Sequence, residues 1–357
     1  MRRIEGNTFG RYAIPQPICG IPPIFSPPAD FAVANDAHFV DNYNGIICVG
    51  SEGVKSYQWD PVTRTISEMG SVRALAGVQM DMNRAGDRLV VVRVNGITIF
   101  SYNRVNFSLV VDATITDTRI TRLPTVAWSP CGEFFIVGIA NTASGVPTRI
   151  IYRYNRAAIT ITAMVANTST ATNHDVTSVV WCADNLITAS MGGGWTILLR
   201  YNPTLNTFET VFSLNHGISR FDLLAMSLDR NFFTCVFFSG GNNFIALFRK
   251  TLTSIAHINN LTIGGEWFFN PLTTTAAAAT WSPSENIIFT PLMESNPARG
   301  SHIFRLDRVS VGLVHEGRLP AGVANRHVIK NLLNPRDKII AQLLWVTGGQ
   351  IRILPWE

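Results

Sequence analysis

Short apolar runs alternate along the chain with turns rich in Gly, Asn, Pro and Asp. The clearest example is Val126–Gly138, in which two β-prone runs flank Ser129-Pro130-Cys131-Gly132. Proline fixes φ at a turn position, and glycine accepts a conformation that a Cβ disfavours. The stretch therefore predicts a strand, a tight turn and a second strand.

This strand-turn-strand pattern recurs along the whole sequence. Trp281-Ser282-Pro283 repeats it closely, and Leu333-Asn334-Pro335 repeats it with Asn in place of Ser. The residue that ends the first strand, here called the anchor, falls at Val40, Met82, Trp128, Trp181, Met226, Trp281 and Leu333. The gaps between anchors run from 42 residues (Val40 to Met82) to 55 residues (Met226 to Trp281). Regular spacing on this scale indicates a repeat architecture.

Each repeat continues with a third strand that ends on an aromatic and a polar residue, such as Tyr102-Asn103 or Tyr154-Asn155. The Asn side chain starts a turn by bonding to the backbone that follows. A fourth strand then runs back, as in Phe208–Phe212. Four antiparallel strands per repeat describe the blade of a propeller. The sequence predicts an all-β fold, a seven-bladed β-propeller of four-stranded antiparallel blades.

The two ends of the chain predict how this ring closes. Ile351–Leu354 completes only the third strand of the last repeat, while Phe9–Ile14 precedes the first repeat without a partner. We therefore expect the N-terminal segment to supply the missing strand and protect an open sheet edge. Residues 1–30 then form a closing strand and a Pro-rich connector, within a single propeller domain that covers residues 1–357.

Composition adds few constraints. Hydrophobic residues make up 46% of the chain and charged residues only 15%, which suits a large buried core. The net charge of +5 does not argue for a nucleic-acid partner. The five cysteines are scattered without metal-binding spacing, and a reducing compartment is expected. No apolar run follows the charged N-terminal residues, so we expect no secretory signal, and no apolar run is long enough for a membrane helix.

The chain resembles the WD-repeat family of seven-bladed propellers. The residues that carry the resemblance are the Trp-Ser-Pro anchors at Trp128 and Trp281, together with the Trp59-Asp60 pair that ends a third strand. The repeats lack an opening Gly-His dipeptide, so the structural His-Asp network of that family is not expected here. The resemblance implies a scaffold for partner proteins.

Candidate chemistry is sparse on this interpretation. The seven histidines show no metal spacing, and we expect turn or rim residues rather than ligands. The chain has no nucleophile elbow and no phosphate-binding loop. The inner strands are read as offering Ala, Val, Thr and Leu rather than acid-base clusters. The expectation is therefore a protein that is not an enzyme and has no cofactor, metal or catalytic residue.

The function expected from these observations is a non-enzymatic interaction platform, specifically a virion component such as a bacteriophage tail or tail-adaptor protein. The alternatives are a cellular WD-repeat scaffold and a glycan- or host-receptor-binding propeller; an enzyme using the central channel is a further class. The expected partners are other proteins in a multi-protein assembly that contains one or several copies of this chain. The expected location is the virion, after assembly in a host cytoplasm, or otherwise the cytoplasm.

The predicted binding surface lies on loops and hairpins. Arg104, Arg156 and Arg308 occupy the hairpins between third and fourth strands, and Trp267 lies on a long loop where its ring can stack on a partner. Because loops on a rigid scaffold carry recognition, we expect contacts at the three long excursions, which are Asn141–Pro147, Ser254–Thr275 and Pro291–Gly300.

Overall fold

The computed structural model confirms an all-β chain. In the part of the chain that the structure describes there are strands and turns and no helix. Those residues are 24–25, 34–40, 44–50, 53–63, 65–73, 77–122, 124–140, 147–168, 175–182, 186–191, 194–216, 221–227, 229–239, 242–264, 280–281, 286–289, 302–318, 327–334, 339–345 and 350–355. The strands pair into four-stranded antiparallel sheets, seven of them among these residues.

The sheets are numbered here by the chain order of their first strands. A two-residue strand, β1 (Ile24–Phe25), precedes them. Sheet 1 is β2 (Ala34–Val40), β3 (Gly45–Gly50), β4 (Gly53–Asp60) and β5 (Thr65–Arg73). Sheet 2 is β6 (Gln79–Met82), β7 (Arg88–Arg93), β8 (Gly96–Tyr102) and β9 (Leu109–Thr116). Sheet 3 is β10 (Thr125–Trp128), β11 (Phe134–Gly138), β12 (Pro147–Asn155) and β13 (Thr160–Thr168).

The later sheets follow the same order. Sheet 4 is β14 (Asp175–Trp181), β15 (Leu186–Met191), β16 (Trp195–Asn202) and β17 (Thr207–Asn215). Sheet 5 is β18 (Phe221–Met226), β19 (Phe232–Ser239), β20 (Asn242–Lys250) and β21 (Ile255–Gly264). Sheet 6 is β22 (Thr280–Trp281), β23 (Asn286–Phe289), β24 (His302–Asp307) and β25 (Gly312–Arg318). Sheet 7 is β26 (His327–Asn334), β27 (Ile339–Trp345), β28 (Gln350–Pro355) and β1.

The hairpin between first and second strands, here the first hairpin, has the geometry that the repeat predicted. In sheet 3 the Ser129 hydroxyl accepts a hydrogen bond from the Phe134 N–H, and the residue three positions after Ser129, Gly132, has φ +73°. In sheet 5 the Ser227 hydroxyl accepts a hydrogen bond from the Phe232 N–H in the same way. A left-handed residue at the same turn position closes both hairpins, which explains the glycine in Ser-Pro-Cys-Gly.

The hairpin between third and fourth strands, the second hairpin, is also repeated. The Asn103 side chain accepts from the Val105 N–H, and the Asn155 side chain accepts from the Ala157 N–H. Four residues after each Asn, Phe107 and Ile159 have φ values of 57° and 53°. The pattern of apolar residues alone would begin the fourth strands at these two residues. The strands begin later, at Leu109 and Thr160, because a left-handed residue must first complete the turn.

Sheet 5 differs from the sequence-based expectation. The segment Ser254–Thr275 was expected to be a long loop, and no fourth strand was assigned to this repeat. In the structure its first part is β21, which pairs along its length with β20. The alternating polar and apolar residues of Ile255–Gly264 are typical of a half-exposed outer strand.

The first strands of consecutive sheets contact one another in chain order, and β2 also contacts β26. At the other end of sheet 7, Ile24 pairs with Arg352 and Phe25 with Ile351. The segment expected to close the fold, Phe9–Ile14, lies outside the described residues. The N-terminal strand that pairs with sheet 7 is instead part of the predicted Pro-rich connector.

Apolar side chains fill the space between neighbouring sheets. Trp128 is only 5% exposed and packs with Phe135, at a ring-centroid distance of 5.2 Å, in a cluster that includes Val90 of sheet 2. The anchor tryptophan of sheet 3 is therefore a packing residue. Within the described residues, no helix meets the length and apolarity needed to cross a membrane.

Candidate functional site

The first strands carry more ionisable residues than the sequence analysis credited to them. Those residues are Asp36 and His38 on β2, Asp81 on β6, Asp175 on β14, Asp222 on β18, and His327 and Lys330 on β26. The expectation that these strands offer only Ala, Val, Thr and Leu was wrong. Most of the ionisable residues lie several positions before the anchor, whereas the expectation rested on the anchor and the small residues next to it.

Asp36 is the most deeply buried of the first-strand carboxylates whose side chains are described. The residue is 6% exposed, and its Oδ1 accepts a 2.9 Å hydrogen bond from the Ala37 N–H. Its Oδ2 accepts a 3.2 Å bond from the Met80 N–H on the first strand of sheet 2. These bonds hold the carboxylate in one orientation and link two neighbouring sheets. They also supply the hydrogen-bond donors that a buried carboxylate requires.

His38 lies two residues after Asp36 on the same strand, so both side chains lie on the same face of the sheet. Its Nε2 is 3.5 Å from Asp36 Oδ2, and its side chain is 30% exposed. A carboxylate beside one ring nitrogen favours the tautomer that carries a proton there, which leaves the other nitrogen as an acceptor. The pair therefore combines a fixed carboxylate with an imidazole that solvent reaches.

Asp81 shows which part of this arrangement belongs to the fold. Its Oδ1 accepts from the Met82 N–H at 3.0 Å, and its Oδ2 accepts from the Trp128 N–H at 2.7 Å. Asp36 and Asp81 thus make the same two kinds of bond, one to the next residue and one to the next sheet. Asn83, rather than a histidine, lies two residues after Asp81. The link between neighbouring sheets therefore forms without a histidine, and the His38 imidazole is an addition to it.

Asp117 and Tyr152 form a second polar group, between sheets 2 and 3. The Tyr152 hydroxyl donates to Asp117 Oδ2 at 2.7 Å, and Arg119 Nη2 lies 2.6 Å from the same oxygen. Hydrogen bonds from Arg119, then from Tyr152, lower the pKa of Asp117 to about 2. A carboxylate with so low a pKa is a poor base at neutral pH, so this group is a structural link between sheets.

The arginines expected to bind a partner lie on one set of hairpins and already have contacts. Arg156 of sheet 3 pairs with Asp87 of sheet 2, and Arg308 of sheet 6 pairs with Asp229 of sheet 5 at 2.8 Å. Arg104 Nε donates to the Gly86 carbonyl at 3.3 Å. These contacts span neighbouring hairpins and, for two of the three, neighbouring sheets.

The carboxylate of one such pair is strongly stabilised in its charged form. Burial raises the pKa of Asp229, but hydrogen bonds from Ser227, Asn231 and Arg308 outweigh it and bring the pKa to about 2. That Arg104, Arg156 and Arg308 also bind another protein stays a prediction. Trp267, the fourth predicted contact, lies outside the described residues.

Comparison with known proteins bears on the fold. No family model and no curated protein matches the sequence. Solved structures that match are propeller-like. They include a periplasmic gluconolactonase from Pseudomonas aeruginosa, with 14% identity, TM-score 0.63, and coverage of 80% of this chain and 85% of that chain. A putative 6-phosphogluconolactonase from Bacteroides fragilis has 10% identity, TM-score 0.63 and 88% coverage of both chains.

A chain of the mitotic checkpoint complex also matches, with 13% identity, TM-score 0.62 and full coverage of both chains. The expected function, a non-enzymatic structural platform such as a phage tail component, is corrected by these comparisons. Gluconolactonase and putative 6-phosphogluconolactonase structures stand among the matches, so this fold is no argument for a non-enzymatic platform. At these identities the likeness is one of fold, so any chemistry must be argued from the residues of this chain.

Proposed function

We propose that this protein is a propeller-fold hydrolase that opens a small lactone or ester, with His38 as the general base and Asp36 as the group that orients it. The observation that carries the proposal is the Asp36–His38 pair on a first strand. A satisfied, buried carboxylate next to a partly exposed imidazole is an arrangement that supports proton transfer. The lactonases of similar fold suggest the substrate class.

The reaction requires only water and this pair. His38 accepts a proton from water through the ring nitrogen that faces away from Asp36, while the water oxygen forms a bond to the lactone carbonyl carbon. Asp36 stabilises the imidazolium that results. When the tetrahedral intermediate collapses, the ring C–O bond breaks and the leaving oxygen takes the proton back from His38. The product is the open hydroxy acid, and the imidazole returns neutral.

The architecture that would bring these residues to a common channel is a closed ring of seven blades. The consecutive contacts of the first strands and the contact of β2 with β26 support a closed ring. The pairing of β1 with β28 supports closure by an N-terminal strand. The repeated anchors and hairpins support a WD-repeat-like propeller, with β2 and β26, which carries His327 and Lys330, side by side.

The proposal is tested by following acid release from glucono-δ-lactone and from simple aryl esters with the purified protein. We expect turnover above the buffer rate, and a fall of about 10²–10⁴-fold in kcat for His38→Gln, which is the usual contribution of a general base. His257→Gln is the matched control because His257 is exposed on the outer strand β21. Wild-type turnover no faster than buffer, or equal loss in both variants, would reject the assignment.

A further inference from the structure

A cavity of about 630 Å³ opens between sheets 2 and 3, on the side of the first and second hairpins. Its walls are the first hairpins of the two sheets and the second hairpin of sheet 3. The two first hairpins approach closely, since a Cβ added at Gly132 would lie 3.6 Å from Asn83 Nδ2. The volume is within the range of small-molecule sites. The cavity is separate from the Asp36–His38 pair, which does not line it.

The charge of the lining is strongly asymmetric. Arg84, Arg153 and Arg156 line the cavity with a single carboxylate, Glu133. Three positive groups against one negative group leave an excess of two positive charges at the walls. Arg156 is partly neutralised by Asp87. In the described part of the chain, Arg84 and Arg153 form no ion pair, and the Arg153 guanidinium lies 5.9 Å from the centre of the Phe134 ring.

Partly buried polar contacts hold the side chains beneath these arginines in place. The Tyr154 hydroxyl donates to Asp112 Oδ2 at 2.8 Å, and Arg88 Nε lies 2.8 Å from the same oxygen. That Arg88 contact is an ion pair without the alignment of a hydrogen bond. Asn83 Nδ2 donates to Asp87 Oδ1 at 3.0 Å and so fixes the carboxylate that Arg156 contacts. The cationic groups are therefore presented from an ordered frame, which lowers the entropic cost of binding.

We propose that this cavity binds a phosphomonoester of a small polar molecule. A phosphomonoester carries a charge of about −1.5 to −2 at neutral pH, which is opposite in sign to the excess at the walls. Planar guanidinium groups bind phosphate oxygens in pairs, and Arg84 and Arg153 form no ion pair among the described residues. The cavity is larger than phosphate alone requires, so the remaining volume takes the polar body of the ligand.

Binding is tested by calorimetry with glucose 6-phosphate as the probe, alongside glucose, gluconate and inorganic phosphate. We expect glucose 6-phosphate to bind, inorganic phosphate to bind more weakly, and added NaCl to weaken both. The variant Arg84→Gln/Arg153→Gln should lose at least about tenfold in affinity per arginine. Arg200→Gln/Arg305→Gln is the control, since it removes two exposed arginines from sheets 4 and 6 and the same charge.

Alkylation of Cys131 tests whether the ligand binds in this cavity. It lines the cavity and is exposed, whereas Cys48, Cys182 and Cys235 are buried. Glucose 6-phosphate should slow alkylation of Cys131 by iodoacetamide, measured on the peptide that contains it, in the wild type and not in Arg84→Gln/Arg153→Gln. Unchanged alkylation at saturating ligand would overturn the placement. Equal affinity for gluconate or glucose would overturn the ligand class, and equal affinity in both double variants would overturn the role of the arginines.

Discussion

The contacts between sheets 2 and 3 and between sheets 5 and 6, here junction 2–3 and junction 5–6, share two links. The indole of Trp128 donates to the Asp81 carbonyl at 3.1 Å, and the indole of Trp281 donates to the Ala225 carbonyl at the same distance. Each junction also has an arginine of a second hairpin paired with an aspartate of the preceding sheet's first hairpin. These links recur because the repeat places the same backbone groups at each boundary.

The junctions differ in what fills the space between these links. At junction 2–3 four buried or partly buried positions hold Asp81, Arg88, Asp112 and Tyr154. At junction 5–6 the corresponding positions hold Ala225, Phe232, Ile258 and Leu306. Apolar residues at these positions pack in one cluster. Since a well-packed apolar set is usually at least as stable as a buried ion pair, the fold does not require the polar set. The difference supports a binding role for junction 2–3.

The largest expected effect concerns the shared links. Trp128→Ala should lower the free energy of unfolding by about 3–5 kcal/mol because it leaves a cavity at a buried position. Trp281 is less buried, so Trp281→Ala should cost less. Urea unfolding followed by circular dichroism measures both. A loss below about 1 kcal/mol for Trp128→Ala would place its ring outside the core.

The second prediction tests whether the polar residues of junction 2–3 can be replaced by the apolar residues of junction 5–6. Arg88→Leu should cost about 3 kcal/mol because Asp112, whose side chain is 11% exposed, loses its charge partner. The triple variant Arg88→Phe/Asp112→Ile/Tyr154→Leu copies three of the four junction 5–6 positions and should recover most of that loss. If the triple variant is less stable than Arg88→Leu, the polar set is part of the fold rather than an addition to it.

The third prediction tests a histidine on an apolar boundary, beside Phe248 of sheet 5. Burial, then the nearby His257, lowers the pKa of His216 from 6.5 to about 4. Because the folded protein disfavours the protonated ring, its stability is complete above pH 6.5 and falls as the pH drops towards 4. The loss should be about 1–2 kcal/mol after allowing for partial exposure. His216→Gln should flatten this part of the pH profile, and His257→Gln should change it less, because burial is the larger cause of the lowered pKa.

The smallest effect concerns the two arginine pairs. Arg308 lies 5.5 Å from the centre of the Phe232 ring as well as against Asp229. Arg308→Gln should therefore cost about 0.5–1 kcal/mol, and Arg156→Gln less, since its side chain is 60% exposed. Thermal unfolding in low salt compares them. An Arg156→Gln loss larger than that of Arg308→Gln would contradict this ranking.

The sequence predicted the parts of the fold that depend on local chemistry. Ser129 and Gly132 define a first hairpin, and Asn103 and Asn155 start second hairpins, because each acts on backbone a few residues away. The fourth strand of sheet 5 was missed because Thr251, rather than an Asn or Asp, starts the turn before Ile255–Gly264.

The candidate site could not be found by the same means. Asp36 and His38 are two residues apart, but what makes Asp36 notable is its bond to Met80 in the next repeat. The cavity likewise combines Arg84 with Arg153, which are distant in sequence. Such pairs form only when the sheets pack, so spacing within one repeat gives no signal for them. Reading every first strand for His and Asp would have identified Asp36 and His38 as candidates.

The most direct test of the central claim is chemical rescue of the His38→Ala variant by free imidazole. Removing a partly exposed ring leaves room for imidazole beside Asp36. The variant should lose about 10²–10⁴-fold in the hydrolysis of glucono-δ-lactone and recover activity in proportion to added imidazole. The rate is measured by acid release, against protein-free solutions with the same imidazole. Full activity in His38→Ala, or a folded variant that imidazole does not rescue, would contradict His38 as the base.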